Sequence, residues 1–274
     1  MKLVVISPEQ DDPREIAVLG VLFAAGLERC HVRKPHWPAA QLETWLRAMP
    51  EDWRTRFVLH SNHELVAMLG LGGYHWRDEK GGAACLPAEA LSALRSLGEV
   101  GAKAGPQDAV SALRSTRSTF TSRSCHDRAT LRAALGHYDS VFLGPVFSSI
   151  SKPGHGPGDN FSPSEISSLL NFRTANERRT AVLALGGVTA ERLPQVGTFG
   201  FDGVAVLGAV WQANDPVAAF CEIKSAFSAL FDQAHCLQRA VENPTPHLTW
   251  TLDVGCSMLD VEKGRSRPNP AHAA

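Results

Sequence analysis

The side chains that could do chemistry in this sequence stand at the ends of short apolar runs. They are His31-Val32-Arg33-Lys34, Leu59-His60-Ser61-Asn62, Tyr74-His75-Trp76, Ser122-Arg123-Ser124-Cys125-His126, Ala184-Leu185-Gly186-Gly187-Val188 and Ala205-Val206-Leu207-Gly208. A seventh group is the stretch from Gly144 to Asn160, which carries Ser149, Ser151 and Lys152 among glycines and prolines. Two chemistries fit these residue types. Paired glycines after an apolar run let backbone N–H groups approach a phosphate with no side chain in the way. Arginine adds a planar fork for phosphate oxygens, and lysine adds a point charge. The second chemistry is proton transfer by histidine, whose ordinary pKa lies near neutrality.

Among the histidines, His126 is the first choice for acid–base work, because it follows Ser124 at a strand-to-helix junction. His75 beside Trp76 reads equally as a packed core residue. Imidazoles can ligate zinc or iron, but no His-Glu-x-x-His spacing and no carboxylate partner accompanies them, so a histidine metal centre is not expected. Along the second strand, alternation puts His31 and Arg33 on one face and Lys34 on the other. Arg33, paired with His31, is therefore the favoured anion-binding group, and Lys34 reads equally as a solvated rim cation or as a functional one.

These groups need elements to hold them. Strands are predicted over 3–6, 27–33, 56–60, 73–76, 119–123, 140–143, 181–185 and 203–207. Helices are predicted over 13–25 (with Asp12 as N-cap), 38–49, 64–69, 127–135, 164–171, 190–196 and 216–230. The segment 77–117 is the least regular, with a candidate helix over 86–100. Eight short apolar strands alternating with helices argue for a parallel α/β fold. A closed (β/α)8 TIM barrel fits the count, and a doubly wound open sheet is the structural alternative. No Gly-x-Gly-x-x-Gly follows the first strand, which weakens a dinucleotide-binding version. In a barrel, active-site groups gather at the C-terminal strand ends, and a phosphate site often forms after strands seven and eight. Gly186, Gly187, Leu207 and Gly208 fall there.

The chain has 274 residues, 44% hydrophobic, with a formal net charge of −1. That suits a barrel domain over 1–231 with an appended irregular tail over 232–274. Near-zero charge gives no case for nucleic acid or an anionic membrane as partner. The longest apolar run, Ile16 to Leu27, is too short to span a bilayer, and Glu9, Asp11 and Asp12 argue against a signal peptide. Six scattered cysteines with no CxxC read as free thiols in a reducing cytosol. A cytoplasmic location is expected, and the oligomeric state is left open, with a homo-oligomer among its outcomes.

With the strand ends assembled, the chain resembles the thiamine phosphate synthase family and its relative, the thiazole tautomerase. The pieces that carry this are His31 to Lys34, Ser124-Cys125-His126, Gly144-Pro145-Val146-Phe147-Ser148-Ser149-Ile150-Ser151-Lys152, Ala184 to Val188 and Gly203 to Gly208. They occur in the family's order over roughly residues 1 to 225. The resemblance implies a barrel that joins an aminomethylpyrimidine diphosphate to a thiazole phosphate and releases diphosphate. It implies that Arg33, Ser124, Ser149, Ser151 and Lys152 engage the pyrimidine diphosphate, with His31 and His60 beside them. Gly186, Gly187, Leu207 and Gly208 would hold the thiazole phosphate. Lys152 would stabilise the leaving charge and His126 would be the acid–base of the tautomerase alternative; a non-catalytic precursor-binding barrel is the third reading. The implied cofactor is Mg2+. However, His60-Ser61 stands where the family has Asn-Asp, and Glu79 is only a rough carboxylate candidate after strand four. The glycines at 154, 156 and 158 suggest a lid over bound substrate.

Overall fold

The computed structural model describes residues 2–78, 119–150, 154, 156 and 162–242. Eight parallel strands close into a barrel in sequence order: β1 (Lys2–Ile6), β2 (Arg29–Val32), β3 (Phe57–Leu59), β4 (Gly73–Trp76), β5 (Phe120–Cys125), β6 (Ser140–Leu143), β7 (Ala181–Leu185) and β8 (Gly203–Val206). Closure is by β8 on β1, with Leu3 opposite Val204. The open-sheet alternative is therefore excluded. The helices are α1 (Glu15–Ala24), α2 (Ala39–Arg47), α3 (Glu64–Leu69), α4 (Arg128–Ala134), α5 (Pro163–Asn171), α6 (Leu193–Phe199), α7 (Gly208–Trp211) and α8 (Pro216–Glu242).

Strand alternation builds two apolar layers. Outward residues such as Val5, Cys30, Val32, Leu59, Tyr74 and Leu143 pack under the helices in one large cluster. Inward residues Val4, Ile6, Phe142, Leu183 and Ala205 form a much smaller cluster inside the barrel. Polar inward residues complete that interior: His31, His75, Ser122 and Ser140 are fully buried. At the N-terminal end, the Lys2 ammonium and Arg29 guanidinium lie 5.3 and 4.3 Å from the Phe120 ring.

Local signals explain most element ends. Asp127 caps α4 and Ser162 caps α5, each in a reciprocal capping box. Gly70 and Gly200 close α3 and α6 in the left-handed conformation. The expected cap at Asp12 forms one turn ahead of the helix rather than at its first residue. Asp12 accepts the Arg14 backbone N–H at 2.9 Å and also pairs with the Arg14 side chain at 2.9 Å, but this turn precedes the helix: α1 begins at Glu15, and its own N-cap, Arg14, has no side-chain cap bond. The expected helix over 190–196 is a 3-10 turn, Ala190–Arg192, followed by α6, and α8 continues past Leu230 to Glu242.

Met1–His235 form one compact unit and Cys236–Ala274 a second. The candidate helix over 86–100 and the chain after 242 lie outside the described residues. Among the described residues, no helix is long and apolar enough to cross a membrane.

Candidate active site

The C-terminal strand ends enclose a cavity of about 380 Å³. Arg33, His60, Ser124, His126 and Ser149 line it, together with Gly186, Gly187, Leu207 and Gly208. Nine of the sequence-expected groups thus meet in one space. Ser151, Lys152 and Glu79 lie outside the described residues, as does most of the expected lid.

His31 corrects one expectation. It is fully buried and does not line the cavity; its Nδ1 sits 3.1 Å from His60 Nε2, one layer deeper.

The two cations of strand two separate as alternation requires. Arg33 enters the cavity and forms an ion pair with Glu9, which also lines it. The Arg33 backbone N–H donates to Ser7 Oγ at 2.8 Å, fixing where the strand leaves the barrel. Lys34 points the other way, fully buried, with Nζ 2.6 Å from Glu15 and 4.7 Å from the Trp37 ring. It is a packed ion pair under the helices, not a rim cation. Burial pushes the Glu15 carboxyl up, against the pull of the Lys34 ammonium.

The phosphate-type rim is made of backbone. Gly186 and Gly187 have φ of 94° and 63°, a region that side chains disfavour. A Cβ on Gly187 would stand 2.2 Å from the Ser148 carbonyl oxygen. Val146 and Phe147 donate their N–H groups to Leu185 and Gly186 at 2.8 and 3.1 Å, so loop six is tied to the end of β7. Arg192 donates to the Gly187 carbonyl at 2.7 Å. On the neighbouring strand, α7 begins at Gly208, and Trp211 Nε1 donates to Ile6 O at 2.8 Å, tying it back to β1. The first N–H groups of a helix have no intrahelical partner, and Leu207, Gly208 and Ala209 at this helix start line the cavity.

His126 is held in one orientation. Its Nδ1 lies 2.7 Å from Gly144 O, which can only accept, so Nδ1 carries the proton. In the neutral ring, Nε2 is then the basic nitrogen.

Below this, His31, His60 and His75 offer nitrogens that all lie within 4.8 Å of one another. Such a cluster suggests a metal centre that residue spacing alone did not. The ring geometry argues against it. His60 and His75 stack 3.9 Å apart at 17°, so their in-plane lone pairs run parallel and do not converge on one ion. Both nitrogens of His75 are also engaged, by Ser122 and Ser124 at 2.9 Å each. Burial drives all three imidazoles toward the neutral form, and that of His31 falls to about 3. They pack on Phe142, whose ring is 4.7 Å from both His31 and His75.

Three charged lining residues escaped the sequence reading: Glu9, Arg77 and Asp78. Asp78 was the nearest to being found, since a carboxylate after strand four was sought one position later.

A family model described as thiamine monophosphate synthase matches residues 100–210. Thiamine-phosphate synthase from Mycolicibacterium smegmatis is 33% identical over 108 residues, 39% of this chain and 44% of that protein. The match thus spans under half the length of that relative. The thiamine-phosphate synthase of Methylobacillus flagellatus is 25% identical over 220 residues, 78% of this chain and 88% of that protein. The chain is similar to the thiamine phosphate synthases. The fold agrees: a solved thiamine phosphate pyrophosphorylase from Bacteroides thetaiotaomicron superposes with a TM-score of 0.59 at 23% identity, covering 83% of this chain and 98% of its own.

Similarity to the thiamine phosphate synthases raises the question of Mg2+. That ion asks for oxygen ligands, usually one or two carboxylates with substrate phosphates. The described residues do not offer such a set. After β3 stands the His60 imidazole. Asp78 gives one oxygen to Arg123 at 3.0 Å and the other to the His126 N–H at 3.2 Å. Glu9 is paired with Arg33. Imidazole, guanidinium and committed carboxylates do not suit a hard cation.

Proposed function

We propose that this barrel couples an aminomethylpyrimidine diphosphate to a thiazole phosphate. The bond between the pyrimidine methylene carbon and the diphosphate oxygen breaks, and diphosphate leaves with the electron pair. The thiazole nitrogen lone pair then attacks the carbocation and forms the new C–N bond. Arg33, with Ser149, Ser151 and Lys152, stabilises the charge on the departing diphosphate. The backbone amides around Gly186, Gly187, Leu207 and Gly208 hold the thiazole phosphate. Donors aimed at developing charge are worth roughly 10²–10³ in rate each.

The observation that carries this reading is the two-ended cavity. A guanidinium stands at the β2 end and a glycine and helix-start rim at the β7–β8 end, with about 380 Å³ between. Two anionic fragments with a reacting centre between them need that layout.

The test is formation of thiamine phosphate from both substrates by purified protein, with Mg2+ and separately with EDTA. No product above the buffer control in either arm overturns the reading.

The contact between His126 Nδ1 and Gly144 O favours a second reading, thiazole tautomerisation. With Nδ1 holding its proton, Nε2 takes a proton from one position of a thiazole carboxylate phosphate and returns it to another. This needs neither diphosphate nor metal. It predicts that His126→Ala abolishes thiazole isomerisation in a protein that still melts cooperatively; retained isomerisation counts against it.

A further inference from the structure

A chain of hydrogen bonds runs from the backbone of β4 up to the cavity. Ser122 Oγ donates to the Tyr74 carbonyl at 3.2 Å and lies 2.9 Å from His75 Nδ1. His75 Nε2 in turn lies 2.9 Å from Ser124 Oγ, and Ser124 lines the cavity. A carbonyl can only accept, so the single Ser122 proton points at Tyr74, and Ser122 meets His75 with a lone pair. Nδ1 of His75 therefore carries the ring proton. The ring is fully buried, and burial holds it neutral, so Nε2 is a bare lone pair. Ser124 must donate to it.

The opposite order is worse. A proton on Nε2 would make Ser122 donate to Nδ1, leaving the Ser122 and Tyr74 oxygens 3.2 Å apart with no proton between them. Two of three bonds would form in place of three. Ring rotation is restrained, since His60 stacks at 3.9 Å and Phe142 lies at 4.7 Å.

We infer that His75 is a positioning residue that turns the Ser124 hydroxyl proton away from the cavity, so that Ser124 recognises an N–H or O–H donor of the ligand. A phosphate oxygen, which can only accept, is not its partner. This refines the role expected for Ser124 from the family resemblance, contact with the diphosphate. The identity of the donor rests on the synthase reading: on an aminomethylpyrimidine diphosphate it is the exocyclic amine.

Three measurements on the full chain test this. In protein labelled with 15N-histidine, long-range 1H–15N correlation reads the tautomer of His75, assigned by loss of its signals in His75→Gln. A protonated-type shift at Nδ1 with a bare-type shift at Nε2 is expected; the reverse pattern overturns the inference. Next, Ser124→Ala should leave the calorimetric Kd for inorganic diphosphate within about twofold, because no hydrogen bond to it is lost. Weakening by about tenfold, the cost of one such bond, overturns it. Finally, Ser124→Ala should reduce the preference in kcat/KM for the amino substrate over its des-amino analogue by about tenfold; unchanged preference overturns the assignment to the amine. If the wild-type chain turns over neither substrate, the synthase reading fails, and the tautomer and diphosphate results still decide the role of His75.

Discussion

His31 offers the sharpest check on the barrel interior. Its ring is fully buried, and its pKa falls from the ordinary 6.5 to about 3, first through burial and then through the nearby Arg29 charge. The unfolded chain takes up a proton here near pH 6.5; the folded chain does so only near 3. Between these values the unfolded state binds more protons. The stability from the neutral ring is therefore present above pH 6.5 and is lost as pH falls. At pH 5 the unfolded ring is 1.5 pH units below its midpoint, which amounts to about 2 kcal/mol from this residue alone at 1.36 kcal/mol per unit. At pH 7.5 the same contribution is about 0.1 kcal/mol.

Glutamine at this position fills similar space and does not titrate. Urea unfolding of wild type and His31→Gln at pH 7.5 and pH 5 isolates the effect from every other ionisable group, including Glu15, whose raised pKa acts in the opposite direction. The stability difference between the two proteins should move by about 2 kcal/mol in favour of His31→Gln on acidification. With an m-value of roughly 3 kcal/mol/M, that is a relative midpoint shift of about 0.7 M. Parallel pH profiles would refute the claim that His31 is buried and neutral.

Three further outcomes follow from the same site. Glu9→Gln frees Arg33 from its carboxylate partner and should tighten the Kd for inorganic diphosphate by about fivefold, near the worth of a partly exposed pair; an unchanged or weaker Kd contradicts the pairing. Asp78→Asn leaves Arg123 buried, since these side chains are only 7% and 3% exposed, and should cost about 3 kcal/mol in urea unfolding; a loss below about 1 kcal/mol would mean that water reaches the pair. Gly187→Ala combines a φ of 63° with a Cβ 2.2 Å from a carbonyl oxygen. It should weaken thiazole phosphate binding by at least about tenfold, because the turn must shift by more than one hydrogen bond tolerates. Calorimetry showing an unaltered Kd would remove this turn from the phosphate site.

The strand ends were legible because barrels concentrate chemistry in one place. Buried parallel strands are apolar runs, as in Ser140–Leu143 and Ala181–Leu185, and they were bounded correctly. The polar residue after each run then had only one end of the barrel to occupy. The misreadings share a cause, which is contact between elements. Nothing along the chain reveals that Lys34 meets Glu15. The histidine cluster was invisible for the same reason. Ligand spacing rules look within one element, whereas His31, His60 and His75 come from three adjacent strands that each turn an imidazole inward. Parallel pairing of Cys30 with Phe57 and of Val58 with Gly73 sets their heights.

The carboxylates around the cavity differ in what a ligand can displace. Glu9 is held there by Arg33, and both side chains are about one quarter exposed. An incoming diphosphate can take the guanidinium while Glu9 returns to water, so the exchange leaves no buried charge unpaired. Asp78 cannot leave in this way. Its release would take the carboxylate from the buried Arg123 guanidinium and also unpair the His126 backbone N–H. Asp78 thus ties the end of β4 to the start of the loop that carries His126. Replacing that tie with a cation–carboxylate bond would loosen the residue best placed to move a proton. In this barrel the acid after strand four serves to place His126, and on the proposed function anion binding falls to Arg33 and the backbone rim.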